Sequence, residues 1–201
     1  MTATHSTQRP AAVERLLAAA SEAFADKGFH ATTTRDIAAR AGMSPAAVYV
    51  HFATKEAVLY ELSLVGHQAA LEVVARAAAG RPGSPPDASA ALQAVVSDFA
   101  AWHARHRRTA RVVQYELAAL TPGHRKVIDG LRREIQDRMR DVLESGVRSG
   151  EFVLPDVPGT ALALLSLAVD VARWYRPDGP RSPEDIGQLY ADLALRMVTA
   201  R

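Results

Sequence analysis

Apolar residues recur along this chain at helical spacing, and no stretch alternates in the manner of a strand pair. Val13, Leu16, Leu17, Ala20 and Phe24 fall at i, i+3, i+4, i+7 and i+11, one stripe of a helix over about residues 10–27 that Gly28 ends. Thr33 with Asp36 three positions on has the spacing of a capping box, Asp replacing the usual Glu, and opens a short helix through Ala41 that Gly42 terminates. Ser44 before Pro45 reads as an N-cap with proline at N1, starting a third helix to about His51. Thr54 caps a fourth, which runs to about Ala79. Residues 80–86, rich in Gly and Pro, read as a loop. Further helices are predicted over 87–105, 108–120, 124–149 and 158–175, broken by Thr121-Pro122-Gly123 and by residues 150–156. After Ser182-Pro183, the residues Ile186, Leu189, Tyr190, Leu193 and Met197 repeat the first stripe. The pattern predicts an all-α fold of about nine helices. It comprises a three-helix amino-terminal domain over 1–54 and a larger helical domain over 55–201.

Two short helices joined by Ala41-Gly42-Met43-Ser44 have the length and turn of a helix-turn-helix, the second helix entering the major groove of DNA. Ile37, Ala38, Val48 and Phe52 would form the small core that fixes it. Groups suited to phosphates surround that core: the hydroxyls of Thr33, Thr34, Ser44 and Tyr49, the imidazole of His51 and the ammonium of Lys55. Arg35 is the strong base reader, able to bind guanine O6 and N7 as a bidentate pair. Pro45 leads the second helix, where Ala46, Ala47 and Val50 offer only apolar contacts, for instance to thymine methyls.

Composition narrows the alternatives. With 48% hydrophobic and 23% charged residues in 201, the chain matches a folded globular average. The absence of cysteine removes disulfides, thiolate metal ligands and a cysteine nucleophile, and fits a reducing cytoplasm. The first ten residues, MTATHSTQRP, contain no signal-peptide core. The most apolar run, 161–169, falls short of the ~18 residues of a membrane span. A net charge of +2 is only weak support for nucleic-acid binding. Seven histidines and many carboxylates could in principle supply acid-base chemistry. No HExxH, Walker loop, GxSxG elbow or GxGxxG is present, so no catalytic residue, metal or cofactor is predicted. A helical scaffold without DNA binding would leave the hydroxyl and Lys55 constellation unexplained.

The runs Gly28-Phe29-His30-Ala31-Thr32-Thr33-Thr34-Arg35-Asp36-Ile37-Ala38, Ala41-Gly42-Met43-Ser44 and Tyr49-Val50-His51-Phe52-Ala53-Thr54-Lys55-Glu56 together resemble the amino-terminal domain of TetR-family transcriptional regulators. Departures are small: Thr34 where an aliphatic residue is frequent, Ala46 for Gly and Val48 for Leu. The resemblance implies a double-stranded, pseudo-palindromic DNA operator as partner. It also implies an all-helical ligand-binding and dimerisation domain after residue 60, its last two long helices pairing across a two-fold axis. The near-continuous apolar character of 161–169 fits such a homodimer.

The segment Asp170 to Gly179, with Ser182-Pro183-Glu184 and Tyr190 to Met197, is similar to an actinobacterial branch of regulators of lipid and steroid-ring catabolism, some of which sense acyl-CoA thioesters. That similarity implies a small hydrophobic effector such as an acyl-CoA, with an amphipathic drug as the alternative. Trp102, His103, Tyr115 and Trp174 would then line a pocket, or else pack as ordinary core. Arg105, Arg107, Arg108 and Arg111 would clamp phosphates, or else solvate a helix junction. Asp170 would line the pocket, meet a partner subunit or form a local ion pair with Arg173. The fourth helix, running from the Thr54 cap toward the pocket, is the expected lever.

Overall fold

The computed structural model describes residues 10–80 and 87–199; of the expected loop over 80–86, all but Gly80 lies outside the described residues. Those residues form nine α-helices and no strand: α1 (Ala11–Ala31), α2 (Thr34–Arg40), α3 (Pro45–His51), α4 (Lys55–Ala79), α5 (Ala88–Arg105), α6 (Arg107–Tyr115), α7 (Pro122–Ser149), α8 (Val157–Trp174) and α9 (Pro183–Val198).

The first helix breaks where the sequence places its end. Gly28 takes φ +77° and ψ 163°, outside helical space, and one further turn carries the chain to Ala31. Buried Thr32 secures this turn, its hydroxyl donating to the carbonyls of Gly28 at 2.7 Å and Ala23 at 3.1 Å. The capping box at Thr33 forms in both directions: the Asp36 amide donates to Thr33 Oγ1 at 3.1 Å and the Thr33 amide to Asp36 Oδ2 at 2.8 Å. At Gly42, φ +66° makes the tight turn into α3 that a side-chain-bearing residue would strain.

Two boundaries differ from the sequence reading. The helix expected over 108–120 is α6, which stops at Tyr115 and gives way to a 3-10 turn at Leu117–Ala119. Residues three apart eclipse in such a turn, so Leu117 and Leu120 both enter the amino-terminal core. Thr121-Pro122-Gly123, expected as a break, instead starts α7: Thr121 Oγ1 accepts from the His124 amide at 3.3 Å and Pro122 occupies N1.

Packing divides the interior into two clusters. One joins α1–α3 to the first turns of α4, to Val112, Val113 and Leu117, and to Ile128 of α7. The other surrounds α5, which packs against α4, α7, α8 and α9. Leu164 and Leu165 of α8 are in this second cluster, whereas Leu162 and Leu167 are exposed. By length and composition the whole of α8, with a mean hydropathy of 1.3, could cross a membrane, which its 161–169 run alone did not suggest; only 33% of it is buried in this chain.

Candidate nucleic-acid interface and effector cavity

α2 and α3 present one continuous outer rim. Buried Ile37, Ala38, Val48 and Phe52 hold the two helices against α1, leaving Thr33, Arg35, Ser44, Pro45, Ala46, Tyr49, Val50 and His51 exposed. Thr34 and Ala47 are half-buried. Thr34 Oγ1 and the Tyr49 hydroxyl lie 3.0 Å apart, so α2 and α3 share a hydrogen bond on the rim itself. Val50 is 77% exposed, an unusual position for a valine with nothing to cover it. The Ser44 hydroxyl makes no capping bond at α3. Thr33, by contrast, has its hydroxyl in the capping box, where it donates to Asp36 Oδ2 at 2.7 Å. Hydrogen bonds from Thr33 and Lys27 hold the Asp36 carboxyl far below the usual carboxylate range. Arg40 pairs with Asp26 at 2.7 Å and Glu22 at 3.5 Å on α1.

Lys55 is placed differently from the phosphate role expected of it. Its ammonium donates to the carbonyls of Phe29 at 2.6 Å, Thr32 at 2.7 Å and His30 at 3.2 Å, and stands 4.4 Å from the centre of the Phe29 ring. An ammonium has three protons, and all three are engaged in closing the end of α1 onto the start of α4.

A cavity of about 320 Å³ opens in the larger domain between α4, α5, α6, α7 and α8. Of the residues singled out from sequence, Trp102, His103, Arg111, Tyr115 and Asp170 line it. Arg108 and Trp174 do not. Arg108, one turn before Val112, is exposed and outside the cavity lining. Trp174 packs near Tyr190, ring centres 6.4 Å apart, beside a second groove of about 290 Å³ that α8 and α9 line with Leu167, Leu193 and Met197. Arg105 is paired with Glu184 and ties α5 to the start of α9. Asp170 both lines the cavity and is held by Arg173 through bonds of 2.7 and 2.9 Å, so two of its open readings, pocket lining and local ion pair, coincide.

Among the lining residues not singled out in the sequence are His67, Arg132 and Gln136. His67 Nδ1 lies 2.8 Å from the Ser63 carbonyl and His103 Nδ1 lies 2.8 Å from the Phe99 carbonyl, each four residues back along its own helix. A carbonyl can only accept, so in both rings Nδ1 carries the proton and Nε2 keeps a lone pair. Burial pushes His103 down to about 4 and lowers His67 as well, keeping both neutral at physiological pH. Arg132 is half-buried, its charge disfavoured by burial, and its Nη1 donates to Gln114 Oε1 at 3.3 Å. Ser63, fully buried one turn before His67, was the available signal, since two polar residues four apart fell on an otherwise apolar face of α4. Arg132 sits in a run of charged residues that gave none.

The cavity wall also reaches the DNA-binding half. Thr109 of α6 lines the cavity, and its Oγ1 lies 2.7 Å from Ser21 Oγ of α1. One residue past the end of α6, the Glu116 carboxylate accepts from the Phe29 amide at 3.0 Å, at the Gly28 break. A second bridge links α4 to α7: His124 Nδ1 lies 2.8 Å from Glu56 Oε1, and the His124 ring stacks on Tyr60 with centres 3.7 Å apart.

Comparison with known proteins agrees with both halves. Residues 16–62 match the bacterial regulatory proteins of the tetR family, and residues 85–198 match the tetracyclin repressor-like C-terminal domain. The HTH-type transcriptional repressor KstR2 of Rhodococcus jostii RHA1 is 32% identical over 189 residues, covering 90% of this chain and 87% of that protein. A bacterial regulatory protein of the tetR family from Rhodococcus RHA1 superposes with a TM-score of 0.88 at 42% identity, over 96% of this chain and all of that one. The ketosteroid transcriptional regulator KstR2 of Mycobacterium tuberculosis superposes with a TM-score of 0.85 at 26% identity, over 96% of this chain and 98% of that one. With an exposed helix-turn-helix on a buried three-helix core and a helical cavity domain behind it, the chain belongs to the TetR family of DNA-binding transcriptional regulators.

Proposed function

We propose that this protein is a cytoplasmic repressor that leaves a pseudo-palindromic operator when a CoA thioester of a hydrophobic acid fills the cavity. The observation that carries this reading is the position of α6. Arg111 and Tyr115 face the cavity while Thr109 and Glu116 bond to α1, so a ligand that shifts α6 acts on the domain holding α2 and α3. α4 contributes His67 and Ala70 to the same cavity and begins at Lys55, which makes it a second connection. Linkage sets the demand: a ~100-fold loss of operator affinity requires ~2.7 kcal/mol of preference for the non-DNA form.

The similarity to KstR2 repressors and an apolar wall of Leu162, Leu165, Val169 and Ile135 support a hydrophobic acyl body. Exposed Arg111 at the rim offers a cation to a phosphate-bearing head. A cationic drug is the weaker reading, because the carboxylate that would meet it, Asp170, is already paired with Arg173. Within the reading, Arg35, Ser44, Tyr49, Val50 and His51 touch the operator. The exposed Leu167, Trp174, Leu193 and Met197 of α8 and α9 meet the same helices of a second subunit, giving an isologous homodimer with α8 against protein rather than lipid. Fluorescence anisotropy of the chain's own upstream DNA, titrated with CoA esters of graded chain length and ring content, tests the reading. Release by a subset of these esters is expected; complexes that survive millimolar amounts of all of them overturn it.

A further inference from the structure

His67, His103 and Arg132 line the more buried side of the cavity, from α4, α5 and α7, in contrast to the exposed Arg111 and Tyr115 at its rim. The charge on Arg132 bears on His67, beside the larger effect of burial. Their hydrogen-bonding capacities are complementary and unspent. Each histidine gives its Nδ1 proton to a carbonyl of its own helix, which leaves two Nε2 lone pairs. The Arg132 guanidinium has five N–H donors, of which one is bonded to Gln114. The neighbouring carboxylate of Asp129 is held by Arg125 Nε at 3.0 and 3.1 Å, so it does not close over Arg132.

An apolar chain end would leave this group of donors and acceptors stripped of water without partners. A ketone would satisfy Arg132 and leave both lone pairs facing an acceptor. A carboxylate would add negative charge beside two nitrogens that burial keeps unprotonated. A hydroxyl satisfies both sides at once, accepting through its oxygen and donating its single proton. Resting on the effector reading above, we infer that the more buried side of the cavity is a subsite for a hydroxyl on the acyl body, which accepts from Arg132 and donates to Nε2 of His67 or His103.

Calorimetric titration of the full-length protein with octanoyl-CoA and its ω-hydroxy derivative, and with the two corresponding free acids, tests the subsite. The hydroxylated member of each pair is expected to bind about tenfold more tightly. In His67→Asn the amide nitrogen keeps a donor for the Ser63 carbonyl while the distal lone pair is lost; His103→Asn does the same at Phe99. In at least one of these the preference should fall below about threefold, with folding checked by thermal melting. Selectivity among the free acids with neither thioester binding would keep the subsite and remove the acyl-CoA reading. Equal or absent binding within both pairs, or a preference that persists in both variants, overturns the subsite.

Discussion

The Glu116 carboxylate accepts a hydrogen bond from the Phe29 amide at 3.0 Å, across 87 residues of chain. Phe29 follows the Gly28 break in α1, and Glu116 follows Tyr115, the last cavity-lining residue of α6. The bond therefore ties the end of α6, a wall of the cavity, to the Gly28 break in the DNA-binding domain.

Removing that bond should uncouple the two halves more than it unfolds either. Glu116→Ala is expected to cost about 1.5–3 kcal/mol of stability, the range for a hydrogen bond to a charged group. The ratio of operator affinities without and with effector should fall toward one. Anisotropy titrations at saturating and zero effector measure it, and an unchanged ratio would remove Glu116 from the coupling path.

Arg35 and Lys55 should separate cleanly. Arg35→Ala is expected to weaken operator binding by about 1–3 kcal/mol and to relax preference at one base pair. Lys55→Ala loses three carbonyl partners and should lower the melting temperature. It should leave the slope of log affinity against log salt close to that of the parent, as expected if its ammonium stays on these three carbonyls when DNA binds. A slope flattened by about one unit in Lys55→Ala would return it to the phosphates.

Association should depend on the outer face of α8 and α9. Leu167→Asp and Leu193→Asp, both at exposed positions, are expected to give monomers by light scattering at micromolar concentration with melting nearly unchanged. Leu164→Asp places a carboxylate in the chain's own core and should unfold the protein instead. Persistence of a dimer in both exposed variants would place the interface elsewhere.

Stability should decline in mild acid through the buried histidines. With His103 at about 4 when folded and an ordinary value of 6.5 when unfolded, the unfolded chain binds the extra proton between those values. Its contribution is zero above pH 6.5, grows as pH falls, and levels off below about 4 at roughly 3 kcal/mol of lost stability. His67 and His106, also lowered by burial, act in the same direction. Urea unfolding at pH 7.5 and 5.0 measures the drop; His103→Phe should flatten it, and an equal drop in that variant would assign the loss to other groups.

Local chemistry alone determined most of the helices and the helix-turn-helix. The Thr33–Asp36 box, Pro45 and Pro183 at N1, and the glycine turns act within four residues, so the sequence carries them whatever the rest of the chain does. Apolar periodicity likewise identified the buried face of α1, whereas on α9 it marked a stripe of which only Ile186 is buried, Leu193 and Met197 being exposed and the small residues Gly187, Ala191 and Ala194 facing the core instead. What periodicity could not convey is which of several partners a polar group meets. Arg111 and Arg108 are three apart on one basic helix, yet one rims the cavity and the other does not, because the direction of each depends on how α6 lies between α1 and α8. Lys55, Glu116 and Arg132 have partners 26, 87 and 18 residues away, and the unfolded sequence holds no trace of those distances. Tertiary packing decided them, since only the folded chain excludes water from these groups and obliges each to find a bond within it.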